Sequence, residues 1–245
     1  MTKTQLQFVV ETDSTNALLR RLQPQENHAV YAGRQSQGRG QRGNVWLSEP
    51  GANLLFSLLW HPDGLPANRQ FSLSQATALA VVEFLKRHGV KALVKWPNDI
   101  YVADTKICGI LIENAVSSKL ESSIIGIGLN LNQTEFPATL PNPESLRRLT
   151  GETLSPDDAA KEMLECLEEL LPMTETEEGR EELHRHYMEC MYRNDGQPYP
   201  YRDVASGNTF HAAIADVEPM GFLLLDDTTG QRRRYAFKEV EFLHP

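Results

Sequence analysis

Four apolar, β-prone runs follow one another near residues 92–96, 99–102, 106–113 and 122–131, with only a few residues between them. A parallel crossover needs a dozen or more residues, so connections this short leave antiparallel pairing for the middle of the chain. Helical patterns flank this stretch. Across 69–88, Phe71, Ala78, Leu79, Val82 and Leu85 recur at helical spacing, and Gly89 supplies a stop. Ser155-Pro156-Asp157-Asp158 joins a cap, a proline at the first helical position and first-turn carboxylates, predicting a helix to about Leu171. Another helix is expected over 177–192. Strands and helices interspersed in this way indicate an α+β fold with a mixed, largely antiparallel sheet, not a doubly wound parallel one.

Upstream, 7–10 and 29–33 read as short strands and 53–60 as a strongly apolar one. Thr12-Asp13-Ser14-Thr15-Asn16 opens a helix through Leu22, with Asp13 or Ser14 placed to cap it. The texture changes at Asp195. From there short strands alternate with turns at Ser206-Gly207, Pro219-Met220-Gly221 and Thr228-Thr229-Gly230, predicting a small β-barrel. The expected organisation is a main domain over 1–194 and an appended barrel over 195–245.

The net charge of −9 over 245 residues opposes broad nucleic-acid binding, which needs a field of the other sign. Locally the balance reverses, because Arg34, Arg39 and Arg42 fall within a stretch free of carboxylates. No run approaches the roughly 20 apolar residues of a membrane span, and the first ten residues lack a secretory pattern. Cys108, Cys166 and Cys190 form an odd set without Cys-x-x-Cys, which suggests neither a disulfide framework nor a thiolate zinc site. The histidines show no metal-ligand spacing. A reducing cytoplasm is the expected setting, with no metal ligated by the protein.

Four stretches carry residues suited to chemistry. In Gly38-Arg39-Gly40-Gln41-Arg42-Gly43 the glycines let the backbone approach a ligand, while its N–H groups can face an anion. Arg39 and Arg42 add permanently charged planar donors for carboxylate or phosphate. The stretch is not a P-loop, and by itself it fits a solvated surface loop equally well. Lys95-Trp96-Pro97-Asn98-Asp99 can make a tight turn in which Asp99 is only a turn residue. Lys106 stands at the mouth of an apolar strand, where an ammonium is costly to bury without an anion, although strand-end lysines also sit in solvent. Gly109 permits close approach of a ligand or a neighbouring strand. Gly126-Ile127-Gly128-Leu129-Asn130 leaves a flat slot on one strand face, for a ring-shaped ligand or for tight packing. Ser14-Thr15-Asn16 sets two hydroxyls and an amide at a helix start; capping accounts for one, and the others can read a polar head group. Cys108 is expected in the core and Arg232-Arg233-Arg234 on a solvated edge.

In this order and spacing the stretches resemble the biotin–protein ligase family. The likeness is carried by Ser14-Thr15-Asn16, Gln35 with the glycine-rich loop and Trp46, Lys95-Trp96-Pro97-Asn98-Asp99, Lys106-Ile107-Cys108-Gly109 and Gly126-Ile127-Gly128-Leu129-Asn130. Ser145-Leu146-Arg147-Arg148-Leu149-Thr150-Gly151 extends it, and it weakens beyond Gly151. The resemblance implies a catalytic domain related to class II aminoacyl-tRNA synthetases and lipoate ligases, followed by an SH3-like barrel. It implies ATP and biotin as substrates, with Mg²⁺ on the phosphates. Biotin carboxylate would attack the α-phosphorus to give biotinyl-5′-AMP, and a lysine of a biotin carboxyl-carrier protein would then displace AMP. Lys106, Arg39 and Asp99 are the implied catalytic residues. Ser14, Thr15, Asn16, Gln35, Gly38, Gly40, Gln41, Arg42, Trp46, Asn98, Gly109, Gly126, Gly128 and Asn130 are implied to bind biotin or the adenylate.

Two departures stand out. Many relatives carry arginine where Gln41 stands, so the loop has one cation fewer. Some relatives also carry an N-terminal helix-turn-helix repressor domain; here Ser14 comes too early for one, so a monofunctional enzyme without DNA as a partner is expected, with a homodimer left open. A lipoate ligase would show an Arg-Arg-x-x-Gly-Gly-Gly stretch, which is not found. A biotin-responsive DNA regulator is disfavoured by the acidic charge, and a non-catalytic carrier-binding module by the intact Arg39 and Lys106.

Overall fold

Strand β3 (Leu54–Trp60) is buried at every position, in contrast to β1 (Gln5–Thr12), which is exposed at most of its length. A strand covered on both faces reads as a continuous apolar run, and Leu-Leu-Phe-Ser-Leu-Leu-Trp does so. The computed structural model describes residues 4–243, apart from the side chain of Arg42. The strands β2 (His28–Gln35), β4 (Leu93–Lys95), β5 (Asp99–Val102), β6 (Thr105–Val116) and β7 (Leu120–Leu129) join β1 and β3 in one sheet, in the order β1-β2-β3-β7-β6-β5-β4.

Every neighbouring pair from β2 to β4 is antiparallel, as the short connections between 92 and 132 require. β1 and β2 are parallel, because helix α1 (Thr15–Leu22) carries the chain back over the sheet between them. α1 covers one face through Leu19, packed on Val30 and Leu59. The other face carries α2 (Phe71–Arg87), a short α3 (Leu146–Thr150), α4 (Pro156–Leu170) and α5 (Glu177–Glu189) over the main core. α4 starts as its sequence requires: Ser155 Oγ accepts the Asp157 N–H at 3.2 Å, with Pro156 opening the helix. Among the described residues no helix is long and apolar enough to cross a membrane.

After α5 the chain pairs briefly with β4 (Val94 N–H to the Cys190 carbonyl, 2.8 Å) and enters a second sheet. Its strands are β8 (Tyr199–Asp203), β9 (Thr209–Val217), β10 (Leu223–Asp227), β11 (Arg232–Tyr235) and β12 (Val240–Phe242), in the order β11-β10-β9-β8-β12. All pairs are antiparallel, and β11 and β12 are its two ends; the hydrogen bonding is that of an open sheet rather than a closed ring. The arginines of β11 are not simply solvated. Arg232 pairs with Asp226 at 2.7 Å, Arg233 with Asp227 at 2.8 Å and Arg234 with Glu218 at 2.8 Å.

The second sheet docks where β4 turns into β5. Trp96 Nε1 donates to the Gly221 carbonyl at 3.1 Å, and the Trp96 ring meets Phe237 edge-on at 6.3 Å. Phe71 of α2 lies so close under Gly221 that a Cβ there would come within 2.6 Å of the ring. This contact places the second sheet against the open end of β5 and β6.

Candidate active site

β6 and β7 lay the floor of a cavity of about 720 Å³. Gly109 stands opposite Gly128 across the two strands, and Gly126 follows on the same face by the two-residue repeat. The slot expected there exists, and the protein's own side chains lie in it. A Cβ on Gly128 would come within 2.5 Å of the Trp46 indole, and one on Gly126 within 2.3 Å of Asn16 Oδ1. Trp46 also covers Gly109.

The polar end is built by the start of α1. Ser14 has the extended backbone of an N-cap, but its side chain makes no capping bond. The Asp13 carboxylate accepts the Ser14 N–H at 2.8 Å, and Arg21 holds that carboxyl well below the usual range through a 2.6 Å ion pair. Capping therefore explains none of the three residues. Ser14 is a buried residue that lines the cavity, and its hydroxyl makes no hydrogen bond among the described residues. Thr15 donates its N–H to Gln35 Oε1 at 2.7 Å and its hydroxyl to the same atom at 3.1 Å. Asn16 donates to Glu113 Oε2 at 2.9 Å and to the Leu111 carbonyl at 3.3 Å, while its Oδ1 accepts the Ser57 hydroxyl at 2.6 Å. Ser57 and Glu113 were missed from sequence. For Ser57 a signal existed: one hydroxyl in an otherwise apolar, fully buried strand needs a partner.

The charged end lies on the β5–β6 hairpin, with Asp99 at the start of β5 and Lys106 just after the turn into β6. Lys106 Nζ is 2.6 Å from Asp99 Oδ1, and both side chains remain partly open to solvent. The same ammonium sits 5.9 Å above the Trp46 ring. Its backbone is fixed by the segment beyond β7: Lys106 N–H donates to the Asn142 carbonyl at 2.7 Å, and the Lys106 carbonyl accepts the Glu144 N–H at 2.8 Å. Asn130 braces that segment by donating to the Glu144 carbonyl at 2.8 Å, and it lies outside the cavity lining. Asn98 does line the cavity, although its amide also ties the turn to the Ile110 carbonyl at 2.8 Å.

Residues 38–46 form a small hairpin over the floor, joined by Trp46 N–H to the Gly38 carbonyl at 3.0 Å and Gly40 N–H to the Asn44 carbonyl at 2.7 Å. Gly38 lies outside the lining; a Cβ on it would meet the Trp46 carbonyl at 2.4 Å. Arg39, Gly40, Gln41 and Trp46 all line the cavity. Arg39 is exposed and makes no ion pair among the described residues. The Arg42 side chain lies outside the described residues.

The last wall comes from the second sheet, through Phe237, Lys238 and the end of β12, which sequence reading did not connect to the site. Arg39, Lys95, Lys106 and Lys238 face the cavity against Asp99 and Glu241, so the lining is cationic in a chain of net charge −9. Asp99 is engaged by Lys106 and Glu241 by Arg202 at 3.0 Å. Lys95 is held by Tyr101, with Nζ 3.0 Å from its hydroxyl. Such a site can seat an anion at one end and a neutral hydrogen-bonding group at the other.

The residue-type pattern of the biotin/lipoate A/B protein ligase family matches residues 7–130, half of the chain. The chain belongs to this ligase family. Among curated members, the bifunctional ligase/repressor BirA of Bacillus subtilis is 36% identical over 148 residues, 58% of this chain and 45% of that relative. The chain thus spans less than half that relative's length. The biotin–[acetyl-CoA-carboxylase] ligase of Paracoccus denitrificans is 32% identical over 161 residues, 62% of this chain and 66% of that relative. In three dimensions the likeness extends beyond the matched half of the chain. The biotin protein ligase from Aquifex aeolicus in complex with biotin and ATP superposes with a TM-score of 0.80 at 25% identity, covering 99% of this chain and 100% of that one.

Cys108, two residues from Lys106, is fully buried, and burial pushes its thiol up more than Lys106 pulls it down. Burial also raises Cys166, to about 12, and the half-buried Cys190. A raised thiol pKa leaves little thiolate near neutrality, each unit costing about tenfold. In the native protein at pH 8, labelling of Cys108 and Cys166 by a thiol-specific disulfide reagent is expected to be at least about 100-fold slower than in urea. Rapid native labelling of Cys108 would contradict its place in the core.

Proposed function

We propose that the chain is an ATP-dependent ligase that attaches biotin to a lysine of a biotin carboxyl-carrier protein. The supporting observation is the Lys106–Asp99 pair at the charged end of a cavity whose other end is made of Ser14, Thr15, Asn16 and Gln35. Hydroxyls and amides suit the urea group of biotin, which both donates and accepts. The dithiolane of lipoate offers nothing comparable to them, which favours biotin over the family's other acyl group.

In the first step a carboxylate oxygen of biotin bonds to the α-phosphorus of ATP and the bond to pyrophosphate breaks. Two anions must approach, and Lys106 and Arg39 offset their repulsion and the charge that develops at phosphorus. Mg²⁺ would accompany the phosphates as part of the nucleotide substrate; among the described residues no group of three or more His, Cys, Asp or Glu is placed to hold it. In the second step a neutral lysine amine of the carrier attacks the acyl carbon of biotinyl-5′-AMP and the bond to AMP breaks. Lys106 stabilises the oxyanion. Asp99 engages Lys106 through Oδ1, which leaves Oδ2 to orient the amine and take its proton. The 38–46 hairpin covers the mixed anhydride and excludes water. The carrier is the partner this chemistry requires, in the cytoplasm.

We place the domain boundary at 194/195 and read the strand order of the second sheet, fifth-first-second-third-fourth, as that of an SH3-like module. Incubating the protein with ATP, Mg²⁺, apo carrier domain and either biotin or lipoate, then weighing the carrier, tests the assignment. The expected result is a biotinyl increment that requires ATP. A lipoyl increment, or none with biotin, would falsify it.

A further inference from the structure

The second sheet delivers a cation to the cavity from a turn suited to a different residue. Between β11 and β12 the chain reverses over Ala236-Phe237-Lys238-Glu239, closed by Glu239 N–H on the Ala236 carbonyl at 3.1 Å. The Glu239 carboxylate reaches back to the Ala236 N–H at 2.7 Å and pins the turn. Lys238 sits at φ +69°, whereas Phe237 is not among the positive-φ residues. This is the sign pattern of a type II turn, whose third position favours glycine or asparagine. A lysine there carries a steric cost.

Four non-glycine residues adopt positive φ among the described residues, and three have local structural settings. Gln23 ends α1, Ala103 turns β5 into β6, and Arg193 is buried over the rings of Tyr192 and Tyr199. Lys238 alone of the four lines the cavity. It is exposed, makes no ion pair among the described residues, and extends over Phe237 with Nζ 5.8 Å from the ring centre. Strain retained at a cavity wall points to a function for the side chain that causes it.

We propose that Lys238 binds the β- and γ-phosphates of the nucleotide, stabilising pyrophosphate as it departs. This rests on the ligase reading of the site. Arg39 and Lys106 serve the carboxylate and the α-phosphate, and a triphosphate brings two further anionic groups. When the carboxylate oxygen bonds to the α-phosphorus, the electron pair of the broken bond passes to pyrophosphate, and an ammonium aimed there stabilises it. Lys238 belongs to the second sheet, so that sheet contributes directly to nucleotide affinity.

The test is a titration of the full-length protein with ATP, inorganic pyrophosphate and AMP, alongside Lys238→Gly and Lys238→Arg. Glycine relaxes the turn while removing the charge, so stability and affinity should move in opposite directions. For Lys238→Gly the expected results are a Tm equal to or above wild type, Kd for ATP and pyrophosphate raised about tenfold, and Kd for AMP within about twofold. Lys238→Arg should keep ATP affinity within about threefold of wild type. If Lys238→Gly binds ATP and pyrophosphate as wild type does, or loses AMP equally, the role of Lys238 is refuted and the ligase assignment stands. If wild type itself fails to bind ATP, both fall.

Discussion

Lys106→Ala is expected to slow adenylate formation by about 10²–10³-fold while leaving the melting temperature nearly unchanged. The two effects separate because of where the ammonium sits. It lies 2.6 Å from Asp99 Oδ1 on the β5–β6 hairpin, with about a third of the lysine side chain exposed. Partly solvated ion pairs contribute less than about 1 kcal/mol to folding, and the partly exposed Asp99 can be hydrated once its partner is gone. In the proposed reaction, by contrast, the same charge faces an anion attacking another anion, where a single donor is worth about 3–4 kcal/mol. Single-turnover pyrophosphate release and a thermal melt, run on the same preparations, read the two quantities. Wild-type rates in Lys106→Ala would remove it from the chemistry, and a collapsed melt would make its role structural.

The second large effect is expected from one methyl group. In Gly126→Ala the new Cβ would stand 2.3 Å from Asn16 Oδ1. Neither side has room to yield. β7 is clamped on both edges, with Gly126 opposite Ser57 of β3 and Leu111 of β6, and Asn16 is tied to Ser57, Leu111 and Glu113. Overpacking of this kind costs about 1–3 kcal/mol, and the displaced amide weakens the polar end of the cavity. The KM for biotin should rise at least about tenfold, while the KM for ATP stays within about twofold. Urea denaturation and initial rates with each substrate varied would check this; an equal rise in both KM values would place the damage elsewhere. Gly128→Ala should be milder, because Trp46 belongs to a hairpin that can shift outward.

Much of this arrangement was legible in the chain. Short connections fixed the antiparallel pairing from 92 to 132, and Ser155-Pro156-Asp157-Asp158 fixed the start of α4, because both depend on local chemistry. Gly126 and Gly128 announced a slot, but not that Asn16 and Trp46 lie in it, since that depends on contacts more than 80 residues apart in sequence. Ser14 and Asn130 illustrate the limit from opposite sides. Ser14 reads as a cap, yet its side chain makes no capping bond and the residue lines the cavity. Asn130 reads as a ligand-binding amide, yet it braces the segment behind Lys106. Each outcome turns on which groups the fold brings next to a side chain, and sequence spacing does not give that. The turn at Lys238 was invisible for a related reason: nothing local says which cavity a turn of the second sheet will face.

The docking of the second sheet on Trp96 and Phe71 has a thermodynamic consequence. Phe71, Trp96 and the buried residues of the C-terminal strands belong to one continuous apolar core, and the cavity is walled by both parts. Detaching those strands would uncover Trp96 and open the site in the same event. A ligand that spans the cavity therefore favours the closed arrangement of both sheets by mass action, with a free energy set by its concentration relative to its Kd. Substrate occupancy and the integrity of the C-terminal strands are linked functions, and neither can be altered without shifting the other.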